Sequence, residues 1–328
     1  MNRDRSLDIG KGLAILFVYL GHSILYHPIE MANMYGWCHF LERVIVSFNM
    51  PMFFIISGYL FSKTKKSTGE LYKGKTLRMA IPYLTTMAII IGTKLILPQS
   101  MSYNAAVSGG GKSLIINALL YGGDRWFVYA LFIIYLVVIP FRDFMKKKWL
   151  AAVLMIVCIV IHFMGVMPSI FELKAVVHYT PFFLAGICLN EYYPTIKAWS
   201  LKYWWLVYLV FILGNGIFVL QLNELPFVFR YVLPFTGTLA VMTMAFQMEK
   251  AIENSKVIQY VEYVGKYSLQ FYLFTFCYPI IRTVIVSVLH VSNPFAILGS
   301  VFVLQLICTT IIVEITRRIK WLKIPMGY

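Results

Sequence analysis

An aspartate, a lysine and a histidine on one stretch of this chain could together hold an anionic substrate and move a proton. The stretch runs Arg5-Ser6-Leu7-Asp8-Ile9-Gly10-Lys11-Gly12 and continues through an apolar run to Gly21-His22-Ser23. Nothing charged lies between Leu13 and Leu20, so it reads as a helix entering a membrane, with Asp8 and Lys11 at its mouth and His22 deep inside. An ionisable residue at that depth is costly and marks function by default. Eleven positions at 3.6 residues per turn return to nearly the same face, displaced along the axis by roughly 16 Å. One face therefore carries a cation near the surface and an imidazole in the bilayer, where a neutral ring can act as a general base. Plainer readings exist, Lys11 as a snorkelling flank residue and His22 as a ring satisfied by helix-helix hydrogen bonding. Both weaken when the two residues share a face. Asp8 lies about 21 Å along the axis from His22, too far to orient its ring, and its nearer partner is Lys11 three positions on.

The elements that must position these residues follow from composition. The chain has 328 residues, 60% of them hydrophobic and 13% charged, with a mean hydropathy of +0.74. These values describe an all-α, polytopic membrane protein, and the whole chain, 1–328, reads as a single transmembrane domain. The start is charged on both signs and no small-residue cleavage pattern follows the apolar run, so the first helix is expected to be retained. The formal charge of +15 does not indicate nucleic acid, because the cations sit in short connections between apolar segments. Cys38, Cys158, Cys188, Cys277 and Cys308 show no paired spacing, and His27, His39, His162, His178 and His290 show no ligand spacing, so neither disulfides nor a metal site are expected.

About ten apolar spans are legible, at 9–26, 39–61, 79–97, 126–141, 149–166, 176–192, 204–221, 229–247, 267–288 and 295–315. With the N-terminus inside, the inner segments collect 22 of the 29 lysines and arginines, from Arg3, Arg5 and Lys11 through Arg142, Lys146, Lys147 and Lys148 to Arg317, Arg318, Lys320 and Lys323. The outer connections hold Lys112, Arg125, Lys174 and Arg230, which leaves Arg43, Lys94 and Arg282 within or at the outer ends of spans. Both termini are therefore expected in the cytoplasm. The inner loop from Ser62 to Arg78 sets six cations against Glu70 and would attract an anionic ligand or the anionic inner leaflet. The outer loop from Pro98 to Arg125 carries Ser108-Gly109-Gly110-Gly111 and a short apolar piece, Leu114 to Tyr121, expected as a surface helix.

Three further stretches join the first: Met50-Pro51-Met52-Phe53-Phe54-Ile55-Ile56-Ser57-Gly58-Tyr59-Leu60-Phe61, Leu77-Arg78-Met79-Ala80-Ile81-Pro82-Tyr83 and Arg125-Trp126-Phe127-Val128. With Arg5, Leu7, Asp8, Lys11, Gly12, Gly21 and His22, they make the chain resemble the membrane-bound acyltransferase 3 family over its whole length. The branch it most resembles is the fucose 4-O-acetylase-like one, whose members acetylate sugars of bacterial surface polysaccharides. The resemblance implies a multi-pass protein of the bacterial inner membrane and acetyl-CoA, or another acyl-CoA, as donor on the cytoplasmic side. It also implies His22 as the catalytic residue, Lys11 as its cationic partner and Arg78 as a donor-side cation. Two positions depart from the branch, with Asn49 before Met50-Pro51 and Thr275 after Phe274 where histidine is common.

The residues themselves suit such a donor, a polyanion with its thioester at the end of a long thin arm. Arg5, Lys11, Lys75 and Arg78 are the candidate cations for its phosphates, with Asp8 beside Lys11 at the mouth and His22 at the acyl end. For the acceptor, Glu42 and Asn49, seven residues apart on one face of the second span, and Arg43 beside them are candidate polar neighbours of His22. The outer interface accounts for Glu42 and Arg43 equally well. Trp126 could stack on a sugar or anchor the membrane boundary, and Ser57-Gly58 reads as close helix packing. The expected function is transfer of an acyl group to a hydroxyl of a saccharide or its lipid-linked precursor. A transporter or flippase for an anionic or lipid-linked sugar, with His22 relaying protons, is the competing class, and a scaffold without activity is a third.

Overall fold

The computed structural model describes residues 4–25, 31–97, 101, 110–145, 147–220 and 229–328. Arg3, His27, Lys146 and most of the loop after Pro98, with Ser108 and Gly109, lie outside the described residues, as does the side chain of Arg230. All regular structure among the described residues is helical. The main helices are α1 Arg5–Leu25, α2 Gly36–Ser62, α3 Thr68–Lys75, α4 Ile81–Ile96, α5 Gly110–Tyr121, α6 Trp126–Val138, α7 Lys148–Met164 and α8 Leu173–Leu189. They continue with α9 Tyr193–Lys202, α10 Trp204–Leu220, α11 Phe229–Lys250, α12 Lys256–Lys266, α13 Ser268–Leu273, α14 Tyr278–Thr283 and α15 Pro294–Arg318.

Among the described residues eight helical runs are long and apolar enough to cross a membrane, nine if α9 and α10, which meet at 89°, count as one span. Each of the ten spans read from the sequence falls on helical structure among the described residues, the ninth on two short helices, α13 and α14, separated by a tight turn; Tyr26 and Gln221, at the ends of the first and seventh, lie outside the described residues. The fifth, α7, is apolar but has only 17 residues, and the seventh, α10, is the second arm of the bent pair. The stretch from Leu114 to Tyr121 is helical as expected, as part of α5. It runs on through left-handed Gly122 and Gly123 into α6, and the combined 36 residues exceed the ~20 that a bilayer requires.

The first helix is the axis of the bundle. Ile9, Ala14, Ile15, Val18 and Tyr19 are buried, and α1 packs against α2, α11, α12 and α15. Bare glycine surfaces bring the backbones together, as expected where helices meet without a hydrophobic driving force. A Cβ on Gly12 would lie 2.0 Å from the Val261 carbonyl oxygen, and one on Gly265 would lie 1.6 Å from that of Asp8. Gly58 and Gly186 do the same for α2 and α8, with a Cβ on Gly58 falling 1.8 Å from the Phe183 carbonyl oxygen. The packing role read for Ser57-Gly58 is what Gly58 performs. Between α3 and α4 the helix widens into a π turn, Thr76–Ala80, which carries Arg78; such turns recur at functional sites.

Candidate active site

Lys11 and Ile15, one turn apart on α1, form part of the wall of a cavity of about 340 Å³. Its mouth is cationic, with Lys66, Lys75 and Arg78 set against Glu70, and its deeper walls are Phe127, Leu131 and Tyr272. The basic loop is organised for this. Ser67 caps α3 reciprocally with Glu70, which fixes the start of the helix that presents Lys75. Lys75 Nζ stands 3.4 Å from the centroid of the Tyr135 ring, a cation-π contact that holds an ammonium without cancelling its charge. Arg78 is exposed on the π turn.

Asp8 is almost closed from solvent and pairs with Lys11 at 2.7 Å. Arg5 follows a different course, because its Nε donates to Glu262 at 3.0 Å and its guanidinium also pairs with Glu253. It pins α1 to α12 and does not line the cavity.

His22 lies two turns beyond Ile15 on the same stripe and is not among the residues lining the cavity. The ring of Tyr278 meets it edge-on, with centroids 6.0 Å apart. Arg282, four positions after Tyr278, is wholly buried, and its Nη1 donates to the Ser23 carbonyl at 3.0 Å. Arg125 is also buried; its Nε and Nη2 donate to the Leu273 carbonyl at 3.2 and 3.1 Å, capping α13 where the helix breaks. Its guanidinium stands 5.8 Å from the ring of Tyr272, which lines the cavity. Tyr272 and Arg125 thus connect the deep end of the cavity to the neighbourhood of His22. Next to Arg125 in the chain, Asp124 forms an ion pair of 2.6 Å with Lys94 of α4, both side chains under a tenth exposed.

The other sequence candidates fall elsewhere. Ile45 packs on Gly21, and Met52 approaches Gly10, so Asn49, on the stripe between them, faces α1 on the cavity side of His22. Asn49 is buried, and its Oδ1 has no hydrogen-bond partner among the described residues. Glu42 and Arg43 line a separate recess with His39, Val46 and Ser47, and Arg43 Nε donates to His39 at 2.9 Å. Trp126 is half-buried against Tyr179, 5.5 Å away. Behind Tyr179 the rings of His178 and His162 lie 4.5 Å apart, with His178 Nδ1 3.2 Å from the Tyr231 hydroxyl. No group of three or more potential metal ligands occurs among the described residues.

Sequence reading missed Tyr278, Arg282, Arg125 and the Lys94–Asp124 pair. Three carried a signal that went unused. Arg282 and Lys94 are charges inside or beside apolar spans, the kind of residue expected to be buried for a purpose, and Arg125 precedes an apolar helix directly. Arg282 and Lys94 enter the sequence reading only through the charge distribution, and Arg125 also as the first residue of a stretch that carries the family resemblance, with no site role assigned to it. Tyr278 is one of 22 tyrosines and had no distinguishing mark.

Fold and site together define a multi-pass membrane protein with a cation-lined cavity beneath an intramembrane histidine. The chain belongs to the acyltransferase 3 family, whose Acyltransferase domain model matches residues 4–315. It is 29% identical over 194 residues to a Nodulation protein NolL of Sinorhizobium fredii, covering 58% of this chain and 50% of that protein. It is 23% identical over 296 residues to a Nodulation protein NolL of Mesorhizobium japonicum, covering 83% of this chain and 75% of the relative. The first match thus spans half the length of that relative. No solved structure matches.

Proposed function

We propose that this protein transfers an acyl group, most simply acetyl, from a coenzyme A thioester to a hydroxyl of a saccharide or lipid-linked glycan. The carrying observation is that Lys11 of α1 and Lys75 and Arg78 of the helical run that closes the basic loop, from two segments far apart in sequence, share one cavity whose α1 wall continues upward to His22. A polyanion with a thin apolar-walled path beyond it is what such a cavity accommodates. The phosphates meet Lys11, Lys75 and Arg78, and the pantetheine arm runs past Phe127 and Tyr272 toward His22. Glu70, the carboxylate at the mouth, is engaged by Ser67.

The acceptor hydroxyl then attacks the thioester carbonyl. His22 takes the hydroxyl proton as the C–O bond forms, the C–S bond breaks, and the proton passes to the departing thiolate to give free coenzyme A. The buried guanidinium of Arg125 makes the local field positive, which favours the negative charge on the carbonyl oxygen in the transition state. The positive-inside distribution supports a cytoplasmic donor mouth and cytoplasmic termini, in a bacterial inner membrane.

The test is release of coenzyme A from acetyl-CoA by the full chain in nanodiscs, with lipid-linked and soluble glycans as acceptors. Glycan-dependent turnover that His22→Ala abolishes, and that Lys11→Ala weakens mainly through donor KM, supports the reading. If the folded protein neither binds nor turns over acetyl-CoA, the donor assignment fails and the chain should be assayed for glycan transport.

A further inference from the structure

A second cavity, of about 360 Å³, lies across α2 from the first, bounded by α1, α2, α8, α9 and α11. Ile56 touches both cavities, but their chemistry differs. The second has walls of Ile55, Leu239, Met242 and Phe246 and no charged residue in its lining. Its rim is formed by Tyr59, Tyr193 and Trp199, and Trp199 is 43% exposed.

The mouth has the features of a bilayer interface. Helix α9 meets the membrane-crossing α10 at 89°, so it runs along the membrane plane, with Tyr193, Ile196 and Ser200 turned toward the protein. Tryptophan at such a position is typical of the headgroup level. One cation stands directly over the rim: Lys63 Nζ lies 4.3 Å from the Tyr59 ring centroid and 5.6 Å from that of Tyr193, and it donates to the Tyr59 hydroxyl. Of the neighbouring charged groups, one pair is neutralised and one carboxylate is hydrogen-bonded. Lys197 pairs with Glu249 at 2.6 Å, and Asp4 accepts from the N–H and hydroxyl of Ser6. Lys63 makes no ion pair among the described residues.

We infer that this cavity binds an anionic phospholipid of the adjoining leaflet, with an acyl chain between α2 and α11 and the phosphate on Lys63. An apolar cavity open to the bilayer fills with alkyl chain, and the cation at its mouth selects the charged headgroup. This site is independent of the donor cavity and does not rest on the acyl-transfer reading.

The experiment uses the full chain in phosphatidylcholine nanodiscs containing a minority of phosphatidylglycerol, followed by extraction into mild detergent and native mass spectrometry of retained lipid. Wild type should retain phosphatidylglycerol over phosphatidylcholine, and Lys63→Gln should lower that preference about fivefold, the effect of one lysine near an anionic surface. Leu239→Trp, which fills the cavity, should retain neither lipid. Should Leu239→Trp fail to fold, phosphatidylglycerol brominated on its chains serves instead. It should quench Trp199 fluorescence, measured as the difference between wild type and Trp199→Phe, more than brominated phosphatidylcholine does. Equal retention of the two lipids by wild type, unchanged retention in Leu239→Trp, or equal quenching by the two brominated lipids would overturn the assignment.

Discussion

The ring of Tyr278 meets the imidazole of His22 edge-on, 6.0 Å between centroids, and the same short helix sends Arg282 to the carbonyl of Ser23, the residue after the histidine. Tyr278 and Arg282 therefore set where the end of α1 sits. Replacing Arg282 by Lys keeps the charge but removes the fork that reaches Ser23. The expected result is a fall in kcat of about 10²-fold, the cost of misplacing a reacting group by an ångström, with donor KM within about twofold of wild type. Steady-state coenzyme A release measures both, and a rise in KM at unchanged kcat would contradict the positioning role.

Asp8 holds Lys11 at 2.7 Å from a nearly closed position. Asp8→Asn leaves the lysine in place but less firmly aimed at the cavity. Because the carboxylate that neutralises the lysine is gone, the site gains one positive charge toward a polyanionic donor, and donor affinity should rise, by about tenfold, with kcat little altered. Equilibrium binding of a non-hydrolysable acetyl-CoA analogue reads this without turnover.

Gly265 leaves no room for a side chain, since a Cβ there would sit 1.6 Å from the Asp8 carbonyl oxygen. Gly265→Ala must push α12 away from α1, at a cost of about 1–3 kcal/mol by analogy with overpacked cores. Gly69→Ala, where nothing lies within 4 Å, is the control. Thermal midpoints in detergent should drop for the first and stay level or rise slightly for the second, where alanine suits the helix better than glycine.

Lys94 and Asp124 form a closed ion pair beside Arg125. Breaking it with Lys94→Met leaves a buried carboxylate and should cost about 3–5 kcal/mol. The double variant Lys94→Met/Asp124→Leu should recover most of that loss. Denaturation midpoints of the two single variants and the double variant, combined as a cycle, decide it.

How much of this was legible beforehand depended on what each residue had to reveal itself with. Apolar runs announce helices without help, because the bilayer demands satisfied backbone and apolar surface over a set length, and every span read from the sequence lies in helical structure, though nothing in the run at 267–288 announces the break between α13 and α14. The Lys11 to His22 spacing was equally readable, since helical periodicity turns sequence distance into facing. The union of Lys11 with Lys75 and Arg78 needed the fold, and it was reached through charge and resemblance. Tyr278 and Arg282 sit more than 250 positions from His22, and no local pattern couples them to it. Arg5 shows the opposite failure. A cation near the membrane mouth looks like a ligand for phosphate until the chain brings Glu262 and Glu253 to it.

The wide turn at Thr76–Ala80 inserts a surplus residue between the helix bearing Lys75 and the one bearing Tyr83. Each residue of an ordinary helix contributes about 100° of rotation, so the two segments are phased as though on separate shafts coupled by a keyed joint. Shortening the joint by one position would leave every cation in the chain and yet swing the lysine-bearing segment by that angle about its axis. The electrostatic character of the mouth is thus encoded in backbone register as much as in residue identity.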